Sequence, residues 1–231
     1  MERFIGWGFR DWFDAAAREQ KLDPRVERQL QLARARLRLD PDDYGALQVV
    51  GHYAYLAENN ELCRSTYERL TEIFPEDSAG FNNLALTYKR DGEYVKEEEL
   101  YRKALDLEPA DPVVLNNLAV NLAHQQRFEE ALGIMELLEE IDPDDPYSDL
   151  HRAKVYAAMG KREKALKYLK RALEGVDRLD TLHHIEFRQD LRLEPLLAEL
   201  RTEPRYERLL RQAYGPDADA VLHGPRGRGS G

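Results

Sequence analysis

Apolar residues fall at positions i, i+3, i+4 and i+7 over Phe81, Leu84, Ala85 and Tyr88, and again over Leu115, Leu118, Ala119 and Leu122. A second run follows each after a polar break: Tyr101 and Ala104 in the first case, Ala131, Met135 and Leu138 in the second. That period gathers the apolar side chains on one face of a helix, so the stretch from Phe81 to Asp145 predicts amphipathic helices in pairs, each with one stripe to bury. The stripes of one pair face each other and the next pair. Pro41, Pro75, Pro109 and Pro143 stand at a constant interval of 34 residues. Three of them close the strings Leu39-Asp40-Pro41, Leu107-Glu108-Pro109 and Ile141-Asp142-Pro143. The residue before a proline is pushed out of the helical region, so the second helix of each pair must stop there.

A helix-turn-helix unit of this length and pattern resembles the tetratricopeptide repeat. The resemblance implies an all-α fold, a right-handed α-solenoid of helix-turn-helix repeats with a C-terminal helical cap. It also implies a non-enzymatic protein-protein interaction scaffold, in which the first helices line a concave groove that takes an extended or helical segment of a protein or peptide partner. Asn83 and Asn117 occupy equivalent places in successive first helices. They are like the asparagine ladder by which some family members hold a peptide backbone, to which an amide offers both a donor and an acceptor. Val49 and His151 stand at that place in the flanking repeats, which limits the ladder to two rungs. Side chains on the same surface, His52, Arg90, His124 and Lys154, are the candidates for selectivity, with Arg90 and Lys154 favouring an acidic ligand. The clamp of Lys and Asn residues that holds a C-terminal carboxylate in co-chaperone relatives is not matched, because Gln48 and His52 stand where it would begin. Family consensus without a ligand role is the plainer reading of the asparagines.

The same interval divides the chain. Residues 1–43 hold an aromatic amphipathic helix, with Ile5, Phe9, Trp12 and Ala16 on one face, and a degenerate first repeat whose second helix carries the stripe Val26, Leu30, Ala33 and Leu37. Residues 44–77, 78–111 and 112–145 are repeats, the second of them expected to pack loosely at Glu97, where the pattern wants alanine. Residues 146–179 form a divergent repeat, with Arg152 interrupting its first stripe and Gly175 in place of a proline stop. Past Gly175 the period is lost, and Pro195 and Pro204 suggest two short helices that cap the array within residues 180–214. Residues 215–231, rich in Gly, Pro, Asp and Arg, read as a disordered tail.

Charge sharpens the picture. Residues 44–145 carry 8 basic and 22 acidic side chains, and residues 146–231 carry 17 and 13. An acidic middle disfavours nucleic acid, which needs a basic face to displace counterions. Arg152, Lys154, Lys161, Arg162, Lys164, Lys167, Lys170 and Arg171 face a single acid, Glu163. This basic patch, centred on Lys161, Lys164 and Lys167, is either a solvated helix face or a surface that steers an acidic partner or a second copy. The single cysteine, Cys63, falls where a small buried residue is wanted and reads as packing.

No phosphate loop, nucleophile elbow or metal-binding spacing occurs, so no cofactor, metal or catalytic residue is expected. His183 and His184 adjoin Glu186, but neighbours on a helix point about 100° apart and do not share a metal. With no long apolar run, no membrane span is expected and the location reads as cytoplasmic. Two other classes stay open: a peripheral membrane adaptor anchored by residues 1–20, and an enzyme with a non-standard site.

Overall fold

The computed structural model describes residues 24–57, 59–179 and 181–223, and the described residues form α-helices and short 3₁₀ turns without a strand. The aromatic helix expected within residues 1–20 lies outside the described residues. The chain forms two compact units, residues 1–109 and 110–231.

In the first unit, α1 (Pro24–Leu39), α2 (Tyr44–Leu56), α3 (Asn60–Ile73), α4 (Ser78–Arg90) and α5 (Tyr94–Leu107) pack each against the next in chain order. The core runs through Ala33, Leu37, Leu47, Val50, Cys63, Tyr67, Leu70 and Leu84, the stripes that the apolar period predicts. Small residues set how closely paired helices cross. A Cβ added to Gly51 would lie 2.7 Å from the Tyr67 ring, so α2 and α3 touch there across a bare backbone. Ala85, one repeat on, is fully buried. Glu97, expected to loosen its repeat, is itself buried in the α4–α5 pair and leaves their close packing intact.

The second unit holds α6 (Pro112–His124), α7 (Phe128–Ile141), α8 (Pro146–Ala158), α9 (Arg162–Glu174), α10 (Thr181–Leu193), α11 (Pro204–Tyr214) and α12 (Ala218–His223). α6 pairs with α7 and α8 with α9; α8 also lies against α6 and α10, α9 against α11, and α12 covers α10 and α11. Asp111 and Asp145 start α6 and α8 alike, each carboxylate accepting from two backbone N–H groups ahead of a proline in the first turn. Gly160, between α8 and α9, sits at φ +69°, and Gln126 takes the same left-handed conformation, φ +61°, between α6 and α7.

Four expectations change in this unit. Arg152 does not break the stripe: it is buried because Asp149, at 3.1 Å, and Glu139, at 2.6 Å, neutralise it. After Gly175, which does end α9, the helical order continues, since α10 is a full-length helix placed against α8 as a further first helix would be. Pro204 opens α11 as read, whereas Pro195 opens only a 3₁₀ turn, Pro195–Leu197, that folds back on α8. The tail from Gly215 is not disordered over its described part, because α12 buries Ala218 and Val221.

Candidate partner-binding site

In the first unit, Asn83 is half-buried on α4 and its side-chain oxygen accepts from the Nδ2 of buried Asn82 at 3.2 Å. His52 is half-buried on α2, edge-on to Tyr53, and desolvation holds its imidazole pKa below the ordinary histidine value. Arg90 braces α4 to α2. Its guanidinium donates to the Tyr55 carbonyl at 2.7 Å and lies 3.9 Å over the Tyr55 ring.

In the second unit two of the expected groove residues, His124 and Lys154, are taken up by the C-terminal segment. Asn117 is buried. His124, at the end of α6, places Nε2 3.0 Å from Glu194, and both side chains are buried. Lys154 is fully buried, its ammonium paired with Asp190 of α10. The structure therefore joins His124 and Lys154 each to a carboxylate of residues 190–194. The patch residues Lys161, Lys164 and Lys167 stay exposed on or beside α9, with Lys164 5.0 Å over the Tyr156 ring and Lys167 5.6 Å over Tyr168. The side chains of His183 and His184 lie outside the described residues. Among the described residues no group of three His, Cys, Asp or Glu side chains could hold a metal ion, and no helix is long and apolar enough to cross a membrane.

A pocket of about 370 Å³ opens elsewhere in this unit, between the N-terminal ends of α6 and α8 and the end of α7. Val113, Leu138, Ile141 and Leu179 give it apolar walls, Arg178 and Tyr147 border it, and Asn116 lies in its lining. Asn116 is only 1% exposed. Its Nδ2 donates to Ser148 Oγ at 2.8 Å, and Ser148 Oγ donates in turn to Asp145 Oδ2 at 2.7 Å. Asp145 thereby fixes the amide: the hydroxyl proton is already committed, so Asn116 must turn its NH₂ toward Ser148. Its carbonyl oxygen is left buried without a hydrogen-bond partner. A buried unpaired acceptor is costly, of the order of 1–3 kcal/mol, and a ligand N–H or O–H in the pocket would relieve it. Sequence reasoning placed weight on Asn117 and passed over Asn116. Both recur at the repeat interval behind Asn83 and Asn82, and only the fold decides which of the pair lines the pocket.

Helix pairs at a 34-residue interval, each lying against the next within its unit, place the protein in the helical-repeat class of folds. Sequence models of the tetratricopeptide repeat match residues 91–151 and 150–174, and the chain is a tetratricopeptide repeat protein. No curated protein sequence matches it. Among solved structures it is similar to PilW, a type IV pilus biogenesis factor, at 19% identity and TM-score 0.58 over 86% of this chain and 99% of that one. It is similar to a chain of the APC/C hetero-tetramer Cut9-Hcn1 at 13% identity and TM-score 0.68, over 85% of this chain and 37% of that one. YrrB, a TPR protein with an unusual peptide-binding site, matches at 20% identity and TM-score 0.50 over 72% and 84% of the two chains. At these identities the likeness is one of fold.

Proposed function

We propose that this protein is a non-enzymatic adaptor that holds a segment of a partner polypeptide, with the Asn116 pocket as the anchoring point in its second unit. The observation that carries the reading is the buried Asn116 carbonyl at an apolar pocket, oriented by Ser148 and Asp145. A peptide N–H supplies the donor that carbonyl lacks, and a small apolar side chain suits the walls made by Val113, Leu138, Ile141 and Leu179. In the first unit, Asn83 and His52 remain the candidates for further contacts, while Arg90, Lys154, Asn117 and His124 act through the packing described above. The family supports the general role, and YrrB, a relative in fold, is itself described by a peptide-binding site. The groups with strongly raised pKa, Cys63, Tyr206 and Tyr214, owe it to burial among helices, and none of them lines the Asn116 pocket, which fits a binding role.

The test is selection of binders to the purified chain from a library of displayed random peptides, followed by titration against Asn116→Leu. That substitution keeps the volume and removes the unpaired carbonyl. It is expected to weaken the selected peptides by about 5- to 150-fold, the worth of one buried hydrogen bond, without lowering the melting temperature. Peptides that bind Asn116→Leu as tightly as the native chain would place the site elsewhere.

A further inference from the structure

In the second unit, α9 and α11 lie side by side with a groove of about 550 Å³ between them. Leu166 and Leu209 form its apolar floor; Lys167 and Lys170 stand on the α9 rim, Arg205 and Arg208 on the α11 rim. Glu163 also lines it and is engaged by Arg205 at 2.7 Å. An apolar floor between cationic rims is the complement of a helix whose apolar ridge is bordered by carboxylates.

The same chain presents such a helix. On α7, Leu137 and Ile141 stand one turn apart and are each 43% exposed. Glu129, Glu136 and Glu140 are exposed along one flank of that ridge, about 60–100° around the helix from Leu137. We propose that the protein associates with copies of itself head to tail, α7 of one copy lying in the groove between α9 and α11 of the next. Ridge and groove are different patches of one unit, so each contact leaves a ridge free at one end and a groove at the other, and assembly continues past the dimer. A single helix of this length buries less than the roughly 800 Å² per partner of a standard interface, so the contact is weak and leans on its charges.

Sedimentation velocity of the full chain over rising concentration tests this, using two charge-reversed variants. The native chain is expected to grow beyond a dimer at low salt and to return toward monomer as salt rises. Lys167→Glu with Arg208→Glu reverses the groove; Glu136→Lys with Glu140→Lys reverses the ridge. Each double variant alone is expected to associate at least about tenfold more weakly than the native chain. Mixed, they are expected to assemble again, because acidic ridge then meets native groove and basic ridge meets reversed groove. All four positions are exposed, and circular dichroism checks that helicity is unchanged. A native chain that stays monomeric at low salt would overturn the proposal and leave the groove to an acidic partner of another kind. Variants that associate as the native chain does, or a mixture that stays monomeric, would overturn it too.

Discussion

Lys154 separates two accounts of the inner surface, because its ammonium is either offered to a ligand or enclosed. A solvated lysine contributes little, about 0–1 kcal/mol even when paired. In the structure its side chain is 0% exposed and its partner Asp190 is 22% exposed. Removing one member of a buried pair typically costs about 3–5 kcal/mol, because the other charge is left behind. Water reaches Asp190 in part, so Lys154→Ala belongs near the lower end of that range, at about 3 kcal/mol. Lys154→Met keeps most of the volume and isolates the charge; pairing it with Asp190→Leu removes both charges and should recover most of the loss. Urea unfolding followed by circular dichroism reads these changes as shifts in midpoint, about 1–3 M for Lys154→Ala given the usual dependence on denaturant. An exposed control, Lys167→Met, should leave the midpoint where it is. If Lys154→Ala behaved like that control, the ammonium would be solvated and the C-terminal segment would not enclose it.

Two further outcomes follow from local chemistry. Burial pushes the Cys63 thiol up to about 12, so Ellman's reagent at mildly alkaline pH should label it only after urea is added; prompt labelling of the native chain would contradict that burial. Gln126 holds φ +61° where Gly92 and Gly160 occupy the same turn one repeat away, so Gln126→Gly should raise the melting temperature, by the equivalent of about 0.5–1 kcal/mol once glycine's extra unfolded-state freedom is offset. A lower melting temperature would show that the side chain does more there than tolerate its backbone.

The repeats were legible because their stripes obey one rule, and Leu47, Val50, Leu84, Leu115, Leu118 and Leu138 are buried as that rule requires. A second signal lay in the sequence at the same interval: Asp43, Asp77, Asp111 and Asp145 each precede a first helix, and three of them accept hydrogen bonds from its opening N–H groups. The pattern faded in the last third of the chain for a physical reason. There Arg152 and Lys154 occupy buried positions and are matched by Asp149, Glu139 and Asp190, up to 36 residues away. An ion pair satisfies burial without leaving an apolar period to read. The tail misled through composition: few apolar residues remain after Gly215, but Ala218 and Val221 are one turn apart and suffice to seat α12. The site was half visible. Spacing brought out paired asparagines in two repeats, but the unpaired carbonyl of Asn116 depends on Ser148, 32 residues on, and on Asp145 having claimed its proton.

The two proposed surfaces answer differently to salt, and that gives a way to tell them apart. The Asn116 pocket works through a neutral amide and apolar walls, neither of which ions screen. The groove between α9 and α11 works through exposed charges, whose attraction fades once the Debye length falls to about 8 Å at physiological ionic strength. Ile141 belongs to both, lining the pocket and ending the ridge of α7. A ligand large enough to cover Ile141 would therefore compete with the next copy of the chain. Since linkage is reciprocal, self-association would weaken that ligand by the same factor. Low salt would then strengthen self-association and lower the apparent affinity for the peptide, the reverse of what a charge-driven peptide site would do.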